Sequence, residues 1–408
     1  MKEFFKLMDL PAVLALRERF AATASTAIAL DGALERVLAE PVTAGLDIPG
    51  FARSTMDGFA VAAASTFGAS EGNPAYLNVT GSVAMGEETD LTVGPGAAVR
   101  IATGGMLPAG ADAVVMVEHT DQLDETTIEV YKSVAPGQNM VARGEDVAVG
   151  SEVLAAGIRL RPQELGLLAA LGQDTVTVHR KPRVGILSTG DEVVDIHTEP
   201  RIGQIRDMNA YSLAGQAQRC GAVTQSYGIV ADDAAALTHR CAAALAENDM
   251  VLLTGGSSVG VRDLTIDILD AMPDTEVLVH GISISPGKPT ILARSGAKAV
   301  WGLPGHVTSA MVVFAAVVRP FLTHVGGQKT GRTAARCLAR LTRNVASAQG
   351  REEYLRVRLE THDGDLVAEP LLGKSGLIRT MVQADGLVAV PKDTEGLEAG
   401  AVVEVLPL

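Results

Sequence analysis

The run KPRVGILSTGDE, residues 181–192, decides the fold. VGILS has no polar alternation, so a strand formed from it is buried on both faces, which is the signature of a parallel sheet covered by helices. TGDE then breaks the run with a glycine and two acids where the strand should end. The same pattern returns downstream. MVLLTGG (250–256) and KAVWGLPG (298–305) are apolar runs that end in glycine-rich turns, and YGIVAD (227–232) and TEVLVHGISI (275–284) are further strand candidates. Between and after them lie helical stretches: NAYSLAGQAQRCG (209–221), AALTHRCAAALA (235–246), LTIDILDAM (264–272) and a helix expected over 306–322. Strands alternating with helices mean crossover units around a mostly parallel sheet.

Outward from this region the texture changes. Residues 1–40 read as helical, from an Asp9-Leu10-Pro11 start with Pro11 in the first turn, through AVLALRERFAATA, to an apolar stretch ending near Glu40-Pro41. From 41 to about 140, short β-like runs such as AYLNVTGSVA (75–84), AAVRIATGG (97–105) and ADAVVMVEH (111–119) are split by Gly, Pro, Asn and Asp, which describes a small β-rich unit. RGEDVAVGSEVL (143–154) and the helical PQELGLLAALG (162–172) return the chain to pack with the N-terminal helices. After a Gly-Gly-Gln-Lys-Thr-Gly linker at 326–331, the tail alternates apolar and polar residues in EYLRVRLE, DLVAEP, GLVAVP and AVVEVLPL, as a small β-barrel-like domain would.

Composition narrows the function. A chain of 408 residues is long enough for two to four compact units. The 48 acidic residues outnumber the 34 basic ones for a net charge of −14, which opposes counterion release and argues against a nucleic-acid partner, though not against a small anionic ligand. Cys220, Cys241 and Cys337 are odd in number and widely spaced, which fits a reducing compartment and no disulfide framework or zinc knuckle. The N-terminal MKEFFKLMDL carries acids and no apolar run of signal-peptide length, and the run from Ala310 to Val318 is too short to span a bilayer. A cytoplasmic protein with no membrane partner is expected.

In an open α/β sheet, ligands bind beyond the carboxyl ends of the strands, where helix amino termini point N–H groups outward. Three such ends are glycine-rich or polar here: Thr189-Gly190-Asp191-Glu192, Thr254-Gly255-Gly256-Ser257-Ser258-Val259-Gly260, and Leu303-Pro304-Gly305-His306. Their backbones and hydroxyls suit a phosphate-bearing ligand. Each alone is weak. The Thr254–Gly260 loop has neither the lysine of a P-loop nor GxGxxG spacing, and a plain tight turn also explains its glycines. Asp263 is read as a magnesium ligand or a helix N-cap, and Glu192 as a ligand or a solvated first-turn residue. Ser285-Pro286-Gly287-Lys288-Pro289-Thr290 fixes a lysine in a rigid turn, which suits an anion but also an ordinary hairpin. Asp57-Gly58 and Arg143-Gly144-Glu145-Asp146 are turn signals as they stand.

Together, STMDGFA (54–60), TGGMLPAGADAVVMVE (103–118), RGED (143–146), KPRVGILSTGDE (181–192), IGQIRDMN (202–209), TGGSSVGVRD (254–263), SPGKP (285–289), GLPG (302–305) and REEYLRVR (351–358) resemble, in this order and over almost the whole chain, the MoeA family of molybdopterin molybdenumtransferases, which includes the gephyrin E domain and the plant Cnx E domain. The resemblance implies an α/β and β multidomain protein: a discontinuous α+β domain I (28–44 plus 140–177), a β-rich domain II (45–139), a central α/β molybdopterin-binding domain III (1–27 plus 178–326) and a C-terminal β-barrel-like domain IV (327–408). It also implies a homodimer that binds adenylylated molybdopterin, places molybdate or tungstate on the dithiolene and releases AMP with Mg²⁺ support. Exchange with the upstream adenylyltransferase and with recipient molybdoenzymes goes with that role.

Carried over residue by residue, Glu192, Asp232 and Asp263 would hold Mg²⁺. Thr103, Thr189, Gly190, Thr254, Gly255, Gly256, Ser257, Pro286, Gly287, Pro304, Gly305 and His306 would bind the substrate. Lys288, Ser309, Arg356 and Ser375 would bind the oxyanion, and Asp57 and Asp146, with Thr103, would reach the cleft across the dimer. Two departures stand out: Gly305-His306-Val307 replaces the family's usual Gly-Asn-Pro, and Ser285 replaces a residue that is often basic. Both are expected to retune the oxyanion preference. The competing readings are a molybdopterin adenylyltransferase, which is usually one small domain, and a receptor-clustering scaffold, whose extra linker and fused domain are missing from this sequence.

Overall fold

The computed structural model describes residues 7–255, 259–329 and 337–408, the side chains of 259–263 excepted. The central sheet is built from β1 (Arg183–Thr189), β2 (Val223–Val230), β3 (Met250–Thr254), β4 (Thr275–His280), β5 (Ile291–Ser295) and β6 (Lys298–Leu303), in the spatial order β2-β1-β3-β6-β5-β4. The first four of these neighbours run parallel, with Thr189 opposite Val230, Ser188 opposite Thr254, and Thr254 opposite Leu303. The β4 and β5 strands extend the sheet antiparallel. β5 is a strand that the sequence pattern does not announce. Its run ILARS is short and half polar, and its partner across the Gly296 turn is what makes it a strand.

Helices α1 (Asn209–Arg219), α2 (Ala234–Glu247), α3 (Val259–Ala271) and α4 (Val307–Val325) cover the sheet. Side chains alternate along a strand, so each apolar run feeds two cores. Val184, Ile186, Met250, Leu252 and Trp301 join α1, α4 and the N-terminal Leu10, Val13 and Phe20 on one face. Leu187, Val251, Leu253 and Val300 pack on the other with residues of α2 and α3. Trp301 meets Phe321 edge-on at 5.0 Å, and Phe321 meets Phe20 at 5.8 Å, which fastens α4 and the N-terminal segment to the sheet.

By length and composition α4 would suffice to cross a membrane, but 72% of it is buried within the protein, so the core accounts for its apolar residues. Its middle, Phe314–Val318, widens into a π turn just before Pro320. A proline inside a helix has no N–H and crowds the preceding turn, and a locally looser helix accommodates it.

The N-terminal expectation needs correction. Among the described residues up to Glu40, helix is confined to Leu10–Ala15 and the 3-10 turns Leu16–Arg19 and Leu30–Gly32. Ser25–Ala29 is a strand paired with Thr175–His179. Alanine-rich propensity is a weak preference, and pairing with a distant strand overrides it. The Asp9-Leu10-Pro11 start holds, with Pro11 in the first turn, but the Asp9 carboxylate accepts from Lys392 Nζ at 2.6 Å and does not cap the helix.

The tail forms a closed five-stranded barrel in the order Glu352–His362, Asp365–Pro370, Cys337–Leu341, Val402–Pro407 and Gly386–Val390, the last strand pairing back to the first. Ile284–Ser285 adds a parallel strand beside Glu352 and Glu353, and Tyr354, Met381 and Leu387 share the core of the central domain, so barrel and sheet are one packed body. Contacts divide the chain into two compact units: Met1–Ala39, Ala156–Arg161 and Val176–Leu408 form one, Glu40–Ala155 and Pro162–Thr175 the other. The second unit holds a six-stranded sheet ordered Ala113–Met116, Gly58–Val61, Ala97–Ile101, Ala75–Val83, Thr127–Val130, Thr120–Gln122.

Candidate active site

The strand order reverses between β1 and β3, and a crevice opens at such a switch point because the crossovers leave in opposite directions. Two glycines let the strand ends approach there. Gly255 has φ +134°, and a Cβ on it would lie 2.0 Å from the carbonyl oxygen of Thr189. Gly190 has φ +137°, and a Cβ there would meet Glu192 Oε2 at 2.7 Å, so the Glu192 carboxylate folds back over the strand end. Thr189 Oγ1 donates to Asp232 Oδ1 at 2.6 Å, and the Asp232 N–H donates to Asp191 Oδ1 at 3.2 Å. The buried Thr254 hydroxyl donates to Ser188 Oγ at 3.2 Å.

These residues surround a cavity of about 30 Å³ lined by Ser188, Thr189, Glu192, Asp207, Asn209 and Thr254 together with Gly255 and Gly305, one wall being the small flap Val193–Val194 and Ile205–Arg206. Five of the expected residues, Thr189, Glu192, Thr254, Gly255 and Gly305, therefore share one cavity, with Gly190 and Asp232 directly behind it. Gly256 and Ser257 lie outside the described residues, as does the side chain of Asp263, whose backbone is in the first turns of α3.

Asp207 and Asn209 are the residues that the sequence reading left unassigned. Both are buried, and Asn209 Nδ2 donates to the Gly305 carbonyl at 2.8 Å while its Oδ1 has no partner. Asp207 Oδ1 accepts the Ala210 N–H at 3.1 Å, steadying the start of α1. The available signal is their place in IGQIRDMN, at the start of a helix.

A second cavity, of about 280 Å³, lies between the Ser285 turn and the barrel, with Ser285, Pro286, Glu353, Tyr354, Arg356 and Ser375 in its walls. Gly287, at φ +122°, is required beneath it, since a Cβ would sit 2.4 Å from Val313 Cγ2 of α4. The Arg356 guanidinium donates to the Gly373 carbonyl at 2.8 Å, and its Nε is buried without a partner. Burial pushes Arg356 below its ordinary pKa and the Glu353 carboxylate opposes that shift; an arginine so placed stays charged. The walls do not include Lys288, which is exposed on the turn, or Ser309, which is buried in the first turn of α4.

The amino terminus of α4 touches both cavities. Gly305 lines the first, and His306 Nδ1 lies 2.9 Å from Ser375 Oγ of the second. Pro304 is buried at the end of β6, and the Thr308 N–H donates to the Ser375 carbonyl at 3.2 Å.

In the other unit, Asp57 Oδ1 accepts the Thr103 N–H at 2.8 Å, so these two expected residues form one constellation. It is set by Gly58, where a Cβ would lie 1.9 Å from the Val115 carbonyl oxygen. Asp146 is exposed at the end of the RGED turn, where its N–H donates to Ile48 O at 3.1 Å; the turn is tied by Arg143 Nε donating to Asp47 Oδ2 at 2.7 Å.

Among the described residues, no group of three or more His, Cys, Asp or Glu side chains is spaced to hold a metal alone. The strand-end donors are instead a few hard carboxylate oxygens, Glu192 and Asp232, on an open crevice. That set fits Mg²⁺, which keeps its waters and is usually bound through one or two carboxylates plus substrate phosphate.

An α/β domain with a carboxylate-lined crevice at its switch point, fused to a barrel that supplies an arginine-lined pocket, defines a class of ligand-binding enzymes. Family models place the chain within it. The MoeA N-terminal region (domain I and II) matches residues 8–172, the model described as "Probable molybdopterin binding domain" matches 185–324, and the MoeA C-terminal region (domain IV) matches 338–408. The chain belongs to the MoeA family. It is 33% identical to the molybdopterin molybdenumtransferase of Bacillus subtilis over 93% of this chain and 89% of the relative. It is 30% identical to that of Staphylococcus epidermidis over 93% and 90%. The solved molybdopterin biosynthesis moeA protein of Pyrococcus horikoshii superposes with a TM-score of 0.85 at 31% identity, covering 99% of this chain and 100% of the other.

Proposed function

We propose that this chain is a molybdopterin molybdenumtransferase: it takes adenylylated molybdopterin, places molybdate on the dithiolene sulfurs and releases AMP. The observation that carries this reading is the pair of cavities joined by the α4 amino terminus, one lined by carboxylates and hydroxyls and one by arginine and serine. Inserting the metal releases water from the oxyanion, and opening the phosphoanhydride consumes water, so one molecule needs both chemistries within reach.

Glu192 and Asp232, with Asp263, would hold Mg²⁺ at the strand end, where the ion would neutralise charge on the departing phosphate. The chain's own residues do the positioning. Thr189 orients Asp232 through its hydroxyl, and the Gly190 and Gly255 backbones admit the phosphates closely. Arg356 and Ser375 present donors to the oxyanion, the mixture of cation and hydroxyl that a dianion requires. Asp57, Thr103 and Asp146 act, on this reading, from the second copy of a homodimer in the cytoplasm, where the adenylyltransferase would supply the substrate and molybdoenzymes would receive the product.

Incubation with adenylylated molybdopterin, Mg²⁺ and molybdate, following AMP release and metal in the pterin, tests the reaction. Release of AMP without metal transfer, or neither, sinks the proposal. For the shared site, mixing Asp57→Ala with Asp263→Ala chains should restore part of the activity; no rescue despite subunit exchange would leave each site within one chain.

A further inference from the structure

The hydrogen bond between His306 Nδ1 and Ser375 Oγ, 2.9 Å, has a direction that neither partner fixes alone. A hydroxyl has one proton to give and two lone pairs, and a ring nitrogen donates or accepts according to its charge and tautomer. The Ser375 backbone is held by its carbonyl, which accepts the Thr308 N–H, and with Oγ beside the ring its hydroxyl proton can still point to the ring or away from it. Ser375 shares its cavity with Arg356. When Nδ1 carries no proton, the Ser375 hydroxyl donates to the ring and turns lone pairs toward the cavity, an arrangement that repels an anion. When Nδ1 is protonated, the ring donates to Oγ and the hydroxyl proton is released to the cavity; if the ring is charged, it also adds a positive charge beside Arg356.

We propose that His306 is a positioning residue of the oxyanion pocket: through Nδ1 it sets whether Ser375 offers its proton to a bound tetrahedral oxyanion. The inference rests on reading this cavity as the molybdate pocket. The charged groups around the bond are Arg356 and Glu353 in the cavity wall, Lys374 beside Ser375 in the chain, Arg379 on the short helix Ile378–Val382 packed against α4, and Lys288 two residues past Pro286. On the strand-end side Glu192, Asp207 and Arg206 line the cavity that reaches Gly305, and α4 brings no charged residue before Arg319. Among these groups it is the His306 ring that touches Ser375, through Nδ1.

The test is direct binding of molybdate and of tungstate to the full chain between pH 6 and pH 8, by calorimetry. Wild type should lose about tenfold in affinity as the pH rises, the equivalent of one charge-assisted hydrogen bond. His306→Asn puts an amide that does not titrate in place of the ring, and its affinity should vary by less than about twofold over the range. Ser375→Ala should bind more weakly at pH 6 and show a shallower profile. His306 is exposed, so its substitution should leave the fold intact, which melting curves will check. Parallel profiles for wild type and His306→Asn would overturn the inference. A wild type that transfers molybdenum but binds oxyanion with no pH dependence would overturn it while sparing the reaction; no oxyanion binding at any pH, with no metal transfer, would overturn the reading beneath it.

Discussion

The two cavities at the amino terminus of α4 differ in the balance of charge they present. The strand-end cavity offers Glu192, Asp207 and, behind Thr189, Asp232, with Arg206 of its flap paired to Glu199, whereas the barrel-side cavity offers Arg356 and Glu353 with the hydroxyls of Ser285 and Ser375. On the proposed function, the excess of carboxylates in the first calls for a cation before phosphate binds, whereas Arg356 and the hydroxyls give the second direct donors to an oxyanion beside Glu353. On the proposed function, one chain would handle two anions without exchanging them, by separating them by local charge and joining the sites with four residues, Pro304 to Val307.

The comparison can be broken one side at a time. The largest expected effect is at the strand end: Gly255→Ala forces a Cβ against the Thr189 carbonyl at positive φ, and should cost roughly 4 kcal/mol of stability together with the activity. Denaturant unfolding measures it; a loss under about 1 kcal/mol would mean that the loop relaxes freely. Next, Glu192→Ala should lower AMP release by about 10²-fold, because on the proposed function Glu192 would be a ligand to the charge-neutralising ion, while molybdate affinity stays as it was. Equal losses in both assays would show that the cavities are not separate. Arg356→Met should reverse that pattern, weakening molybdate binding by about 30-fold with AMP affinity unchanged.

The smallest effect is at the opposite edge of the sheet. Asp249, ahead of β3, accepts Arg180 at 2.7 and 2.9 Å and the Arg183 N–H at 2.8 Å. Burial pushes its carboxyl up, but the Arg180 hydrogen bond and the Arg183 N–H outweigh that and hold it below the usual aspartate range. The stability it contributes is therefore present above the ordinary value near pH 3.9 and lost as the pH falls through the lower folded value. Since Arg180 is 39% exposed, solvent screens the pair, and Asp249→Asn should cost only about 1 kcal/mol at pH 7. The difference from wild type should close below about pH 4, with neither cavity's ligand affected; a gap that widens in acid would contradict the assignment.

The central sheet was legible because its strands are apolar on consecutive residues, and the requirement to bury both faces is written into VGILS and MVLL alone. Ser25–Ala29 and Ile291–Ser295 were not legible, since each is a strand only through its partner, Thr175–His179 in one case and Lys298–Leu303 in the other. The strand-end glycines were named from their positions, but the reason they must be glycine, a carbonyl 2.0 Å from the missing Cβ of Gly255, is a distance between two loops. Arg356 and Ser375 were carried over from a family pattern. Asp207 and Asn209 escaped because a polar pair before a helix looks like any cap until burial is known.

The sequence by itself determined the element types of the core, the acidic and basic character of each loop, and the family, because these depend on residue order and composition over short spans. Tertiary structure decided which loops meet. It brought Thr189 to Asp232, Asn209 to Gly305 and His306 to Ser375, residues 43, 96 and 69 positions apart. A hydrogen bond depends on distances of tenths of an ångström between such groups, and those are fixed only when the whole core has packed.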